Sequence, residues 1–134
     1  MIEVVNRQRG RKIATATWSK RAADMLAAIG KPEASATIAF MSDQKIRSLN
    51  KQFRGIDKAT DVLSFPSDEP DQLGDVAISV ATAMRQAKEN GLTLDQEIGQ
   101  LILHGLLHLN GYDHETDKGE MNRLELKLRK KLGI

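Results

Sequence analysis

Apolar residues recur along this chain at two spacings, and the switches between them mark out its elements. Ile2 to Asn6, with Val4 and Val5, reads as a short strand; from Thr17 through Ile29 the spacing is helical, with Thr17 as N-cap and Gly30 just past the end. Lys31-Pro32 breaks the chain. Ala34 to Met41, with Thr37, Ile38 and Phe40, returns to strand, and Ser42 or Asp43 opens a helix that carries Ile46, Leu49 and Phe53 on one face. Asp61 to Phe65 is a third strand, ended by Pro66 and an acidic loop, and Gly74 to Ser79 is a fourth. Ser79 caps a helix that runs to Asn90-Gly91.

Thr93, with Gln96 three residues on, has the form of a capping box and opens a helix that is apolar nearly all round. Such a helix is central and buried. Asp117 with Glu120 forms a second capping box before a last helix bearing Leu124, Leu126, Leu128 and Leu132. Strands and helices do not strictly alternate, so the expected fold is α+β: a small four-stranded mixed sheet packed with about four to five helices, in one domain over residues 1–134.

Composition changes this picture in two ways. The chain has no cysteine, which removes disulfides and thiolate metal ligands and makes a reducing cytoplasm the expected setting. The first ten residues hold Glu3, Arg7 and Arg9 without the apolar core of a secretory signal, and the longest apolar stretch, Leu101 to Leu109, is too short to span a bilayer. The net charge is only +2, but it is polarised: residues 1–31 carry seven bases against two acids, whereas residues 60–75 carry five acids and no base. A basic side of this kind suits a polyanion.

The candidate chemistry lies in the buried helix. All three histidines fall in His104-Gly-Leu-Leu-His108-Leu-Asn-Gly-Tyr-Asp-His114. On a helix, i and i+4 side chains project from one face roughly 6 Å apart along the axis, so His104 and His108 can grip one ion. Gly111 tolerates the positive φ that lets the chain turn and bring His114 to the same point. Three neutral imidazoles leave one position of a zinc ion open to water, the arrangement of a catalytic site. This spacing is that of the metzincin metalloproteases, but the place of their general-base glutamate is taken by Gly105, and Met121 belongs to the last helix rather than to a methionine turn.

The histidine motif occurs with Asn50-Lys-Gln-Phe-Arg54-Gly-Ile-Asp57-Lys58-Ala-Thr60-Asp61-Val-Leu-Ser-Phe65-Pro and with Gly74-Asp75-Val-Ala-Ile-Ser79. In these three motifs the chain resembles the bacterial YbeY family of ribosomal RNA maturation factors, over essentially its whole length. The resemblance implies a cytoplasmic, zinc-dependent, single-strand-specific endoribonuclease that acts in small-subunit ribosomal RNA 3′-end maturation and ribosome quality control. It also implies partners among ribosomal proteins or a ribosome-associated GTPase, and no membrane. Carried over residue by residue, it makes His104, His108 and His114 the ligands of one zinc ion and Arg54 the functional arginine.

Arg54 could hold a scissile phosphate bidentately; its ordinary alternative is a surface salt bridge. Asp57, Lys58, Thr60 and Asp61 read mainly as turn and strand-start residues, with Lys58 a candidate phosphate contact. Asp113 could accept an imidazole N–H beside the metal or cap the turn after Gly111. Tyr112, Trp18 and Phe53 read as packing residues, so RNA contact is expected to rest on phosphates. Two other functions compete: a ribosome-assembly factor whose zinc is mainly structural, and, disfavoured by Gly105, a metallopeptidase.

Overall fold

The computed structural model describes residues 1–113 and 115–134. Their elements, in order, are β1 (Ile2–Asn6), α1 (Thr15–Ile29), β2 (Ser35–Met41), α2 (Asp43–Arg54), β3 (Val62–Pro66), β4 (Gln72–Ser79), α3 (Val80–Asn90), α4 (Leu94–Leu109) and α5 (Glu120–Leu132). The four strands form one mixed sheet in the order β1-β2-β4-β3. β1, β2 and β4 are parallel, and β3 runs antiparallel to β4 along one edge. The fold is therefore α+β, with five helices among the described residues.

Strand alternation divides the sheet into two unequal faces. Ala36, Ile38 and Phe40 of β2 and Val76 and Ile78 of β4 join Trp18, Leu26, Ile102 and Leu106 in the main core, which lies under α1, α4 and α5. Met41, Leu63 and Ala77 point the other way and meet Ile46 of α2 in a small second cluster, with Leu49 and Phe65 packed on it. Most of the burial is thus on the α4 side. Trp18 is in the core, as its sequence context suggests, with its ring centroid 6.4 Å from that of Phe40.

Local signals place most of the helix ends. The Ser42 hydroxyl accepts from Lys45 N–H and the Ser79 hydroxyl from Thr82 N–H, and Thr93 and Gln96 form a complete capping box. Gly30 and Gly91 close their helices in the left-handed region, at φ 95° and 68°.

Two expectations fail. Thr17 does not cap α1, which begins at Thr15 after Ala14 without a side-chain cap; the Trp18 N–H to Ala14 carbonyl bond of 3.1 Å closes the first turn ahead of it. The Asp117 and Glu120 capping box does not form either. Gly119, at φ 96°, is the N-cap of α5, and Asp117 instead accepts from Gly119 N–H at 2.8 Å and Met121 N–H at 2.9 Å. No described helix is long and apolar enough to cross a membrane.

Candidate active site

α4 supplies the frame. Ten of its residues are buried, from Glu97 to Leu109, so the histidines sit on an element held on most sides. His104 and His108 face partly outward in the same direction, their Nε2 atoms 3.1 Å apart and their rings 76° to one another. Two imidazole nitrogens bound at about 2.0–2.1 Å to one tetrahedral zinc ion sit about 3.3–3.4 Å apart. The spacing of the pair therefore fits shared coordination of one ion. His114, the third expected ligand, lies outside the described residues, and among those described no group of three or more His, Cys, Asp or Glu is placed to hold a metal.

Gly105 takes up a tight approach between α4 and the sheet. A Cβ there would lie 2.7 Å from Val76 Cγ1, 3.0 Å from Val76 Cγ2 and 3.2 Å from Ser64 Oγ. A glutamate at this position would point into the sheet and not into the cleft. The residue that marks the difference from the metzincin pattern is therefore demanded by packing.

The other side of His104 is bound by a residue that sequence reading missed. Glu125, on α5 and buried, places Oε1 2.7 Å from His104 Nδ1, while its Oε2 accepts from an Arg129 guanidinium nitrogen at 2.6 Å. Burial opposes ionisation of this carboxyl, but the His104 and Arg129 hydrogen bonds and charges outweigh it and hold Glu125 below the ordinary carboxylate range. An acceptor at Nδ1 selects the tautomer protonated there, in which Nε2 is the nitrogen able to ligate a metal. The signal was present in the sequence. Met121, Glu125 and Leu128 make one helical stripe, so an acid stands where the periodicity demands a buried residue.

Asp113 caps a turn. Its Oδ1 accepts from Glu115 N–H at 2.9 Å, which caps the turn that follows Gly111 at φ 92°. Tyr112 packs, partly buried, on the main core.

A cleft of about 720 Å³ passes over the outer edge of β3. His104, His108, Val62 and Ser64 line it on the α4 side, and Phe53, Arg54 and Phe65 on the α2 side. Arg54, the last residue of α2, is exposed and makes no ion pair among the described residues, so its ordinary alternative is not realised. Its neighbour Asp57 is engaged elsewhere, with Oδ1 2.7 Å from Arg47 Nε.

The structure does not bring Lys58 to this cleft. Its side chain is exposed, and its backbone carbonyl accepts from Asn50 Nδ2 at 2.9 Å, which pins the loop after α2. Asp61 behaves as a strand-start residue, its Oδ1 accepting from Val62 N–H at 2.8 Å. Phe53 is a clear correction. Expected to pack, it is 60% exposed, because the apolar stripe of α2 runs on past the edge of the sheet it covers.

Comparison with known proteins places the chain in a family. The chain is 56% identical over 92 residues to "Endoribonuclease YbeY" of Solibacter usitatus, a stretch that covers 69% of this chain and 62% of the relative. It is 46% identical over 120 residues to the protein of the same name from Anaeromyxobacter sp., covering 85% and 62%. The chain thus spans about three fifths of the length of these relatives. The solution structure of TM1509 from Thermotoga maritima matches 98% of this chain and 89% of its own, with a TM-score of 0.68 at 30% identity. The family profile described as "Endoribonuclease YbeY" matches residues 3–133, and the chain belongs to the YbeY family.

Proposed function

We propose that this chain is a zinc-dependent endoribonuclease that cuts single-stranded RNA. Its proposed substrate is the 3′ end of precursor small-subunit ribosomal RNA, and its setting is the cytoplasm, in ribosome maturation and quality control alongside ribosomal proteins or a ribosome-associated GTPase. The observation that carries this reading is the pair of imidazole nitrogens 3.1 Å apart in a cleft that Arg54 also lines.

His104, His108 and His114 would hold the ion. Bound there, zinc would supply a Lewis acid and bring the pKa of a water down to about 7. The chain's own residues do the rest. Glu125 fixes the His104 ring with Nε2 toward the cleft, and the guanidinium of Arg54 grips the scissile phosphate and neutralises the charge that grows on its oxygens. Water is the nucleophile in this reading, so product ends carry no 2′,3′-cyclic phosphate.

The test is cleavage of single-stranded precursor RNA by the purified chain, with metal analysis in parallel. Chelation or His108→Ala abolishes cutting, and Arg54→Ala lowers kcat about 10²- to 10³-fold, as loss of one transition-state donor does elsewhere. Cutting by His108→Ala at the parent rate, or a zinc-loaded protein that cuts no single-stranded RNA, overturns the proposal. The second outcome would favour an assembly factor with structural zinc.

A further inference from the structure

The cleft has an aromatic corner that phosphate chemistry does not use. Phe53, one residue before Arg54, meets Phe65 edge-on, with ring centroids 5.2 Å apart at 63°. Both rings line the cleft that holds His104 and His108. Phe65 is half-buried, but Phe53 is 60% exposed, whereas Ile46 on the same apolar stripe is fully buried. Contact with Phe65 orients the Phe53 ring without covering it. An aromatic ring held open in a cleft that also carries imidazole and guanidinium groups offers a ligand an apolar face beside polar ones.

We infer that Phe53 is a stacking platform for an unpaired nucleobase of the RNA strand whose phosphate Arg54 contacts. The inference rests on the reading above that the substrate is RNA. Lys51 and Arg54 are the basic residues of the last turn of α2, and no acid shares that turn. Asp113 and Glu115 lie across the cleft, so a polyanion is drawn to the α2 side. Consecutive residues there offer a cation and a π-face, as a nucleotide offers a phosphate and a base. Every base has a π-face, so such a platform does not select sequence. It does select strandedness, because both faces of a base inside a duplex are covered by its neighbours. Preference for single strands then comes from Phe53 and not from the histidine site.

The test measures binding in a His108→Ala background, which prevents cleavage, with a short single-stranded RNA carrying one 2-aminopurine and a blunt RNA duplex for comparison. The parent quenches 2-aminopurine fluorescence on binding. Phe53→Ala weakens single-strand affinity about 5- to 100-fold and removes the quenching, with duplex affinity unchanged. Phe53→Tyr keeps both properties. Phe53→Leu, which preserves apolar contact with Phe65 but has no π-face, behaves like Phe53→Ala, so a defect of local packing is distinguished from loss of stacking. Parent-like single-strand affinity in Phe53→Ala or Phe53→Leu overturns the inference. Should Arg54→Ala alone weaken binding, the endoribonuclease reading survives while this inference falls; should the parent bind no RNA at all, both fall.

Discussion

Replacing Gly105 by alanine tests whether the glycine inside the histidine motif is there for packing. The added Cβ would stand 2.7 Å and 3.0 Å from the two Val76 methyls, the first closer than such carbon atoms approach in folded proteins and the second tighter than most. Val76 is fully buried on β4 and β-branched, so it has little rotamer freedom with which to yield. Either α4 lifts from the sheet or Val76 leaves its rotamer, and overpacking of this kind costs about 1–3 kcal/mol. Against it, alanine gains about 1 kcal/mol over glycine in a helix interior. The net expectation is a loss of up to about 2 kcal/mol, or a melting temperature lower by up to roughly 8 °C for a chain of this size.

Gly99 on the same helix is the internal control. Its Cβ would meet Ile134 Cγ2 at 3.2 Å, and Ile134 lies beyond α5, only partly buried and able to turn aside. Gly99→Ala should therefore be neutral or stabilising. Thermal and urea unfolding of both variants, with Gly105→Ala also placed in a Val76→Ala background, measures the effect and its coupling to Val76. If Gly105→Ala melts above the parent temperature, or shows no coupling to Val76, α4 does not approach β4 as described. The reason given for the absence of a glutamate at this position then fails too.

Three further outcomes are expected. Glu125→Gln weakens zinc binding about 10- to 100-fold in a chelator competition, as loss of a carboxylate partner of a ligating histidine does elsewhere; unchanged affinity would show that the contact with His104 is incidental. Burial works against ionisation of Asp43, but hydrogen bonds from Ser79, Thr82 and Arg85 and the Arg85 charge hold its carboxyl below the ordinary range. Its contribution is therefore complete above about pH 4 and is lost as the pH falls through the depressed folded value, so Asp43→Asn should flatten the acid limb of a urea-midpoint profile. Glu97 is shifted the opposite way, raised by burial and then by the charge of Asp61. Ionisation then costs stability as the pH rises from about 4.3 through the raised folded value, so Glu97→Gln should melt higher than the parent at pH 8 and lose that advantage near pH 4.

What could be read in advance was what is encoded within a few residues. Ser42, Ser79 and the Thr93 and Gln96 box each cap a helix through contacts three residues away, and the i, i+4 histidines need only a helix to converge. Where tertiary packing supplies the term that decides, local reading fails. Trp18, buried against the sheet, belongs to a first turn that closes ahead of Thr17, and Gly119 displaces the Asp117 and Glu120 pair from the role their spacing suggests.

The site residues separate along the same line. The Met121, Glu125 and Leu128 stripe marks Glu125 as buried, but only the packing of α5 against α4 turns it toward His104, twenty-one residues back along the chain. Phe53 was misread for the converse reason. Helical periodicity states which side of α2 is apolar, but not where the sheet beneath it stops. β3 is an edge strand, and the stripe overruns it by one residue, so the ring that periodicity assigns to the core stands instead on the rim of the histidine cleft. Both departures border the histidine pair, Glu125 behind His104 and Phe53 in the cleft that His104 and His108 line. A sequence that followed the patterning rules there would have put a leucine in place of Glu125 and kept its last aromatic on α2 under cover. It would have gained apolar burial and lost both the partner of His104 and the open ring beside Arg54, so stability alone does not account for these two residues.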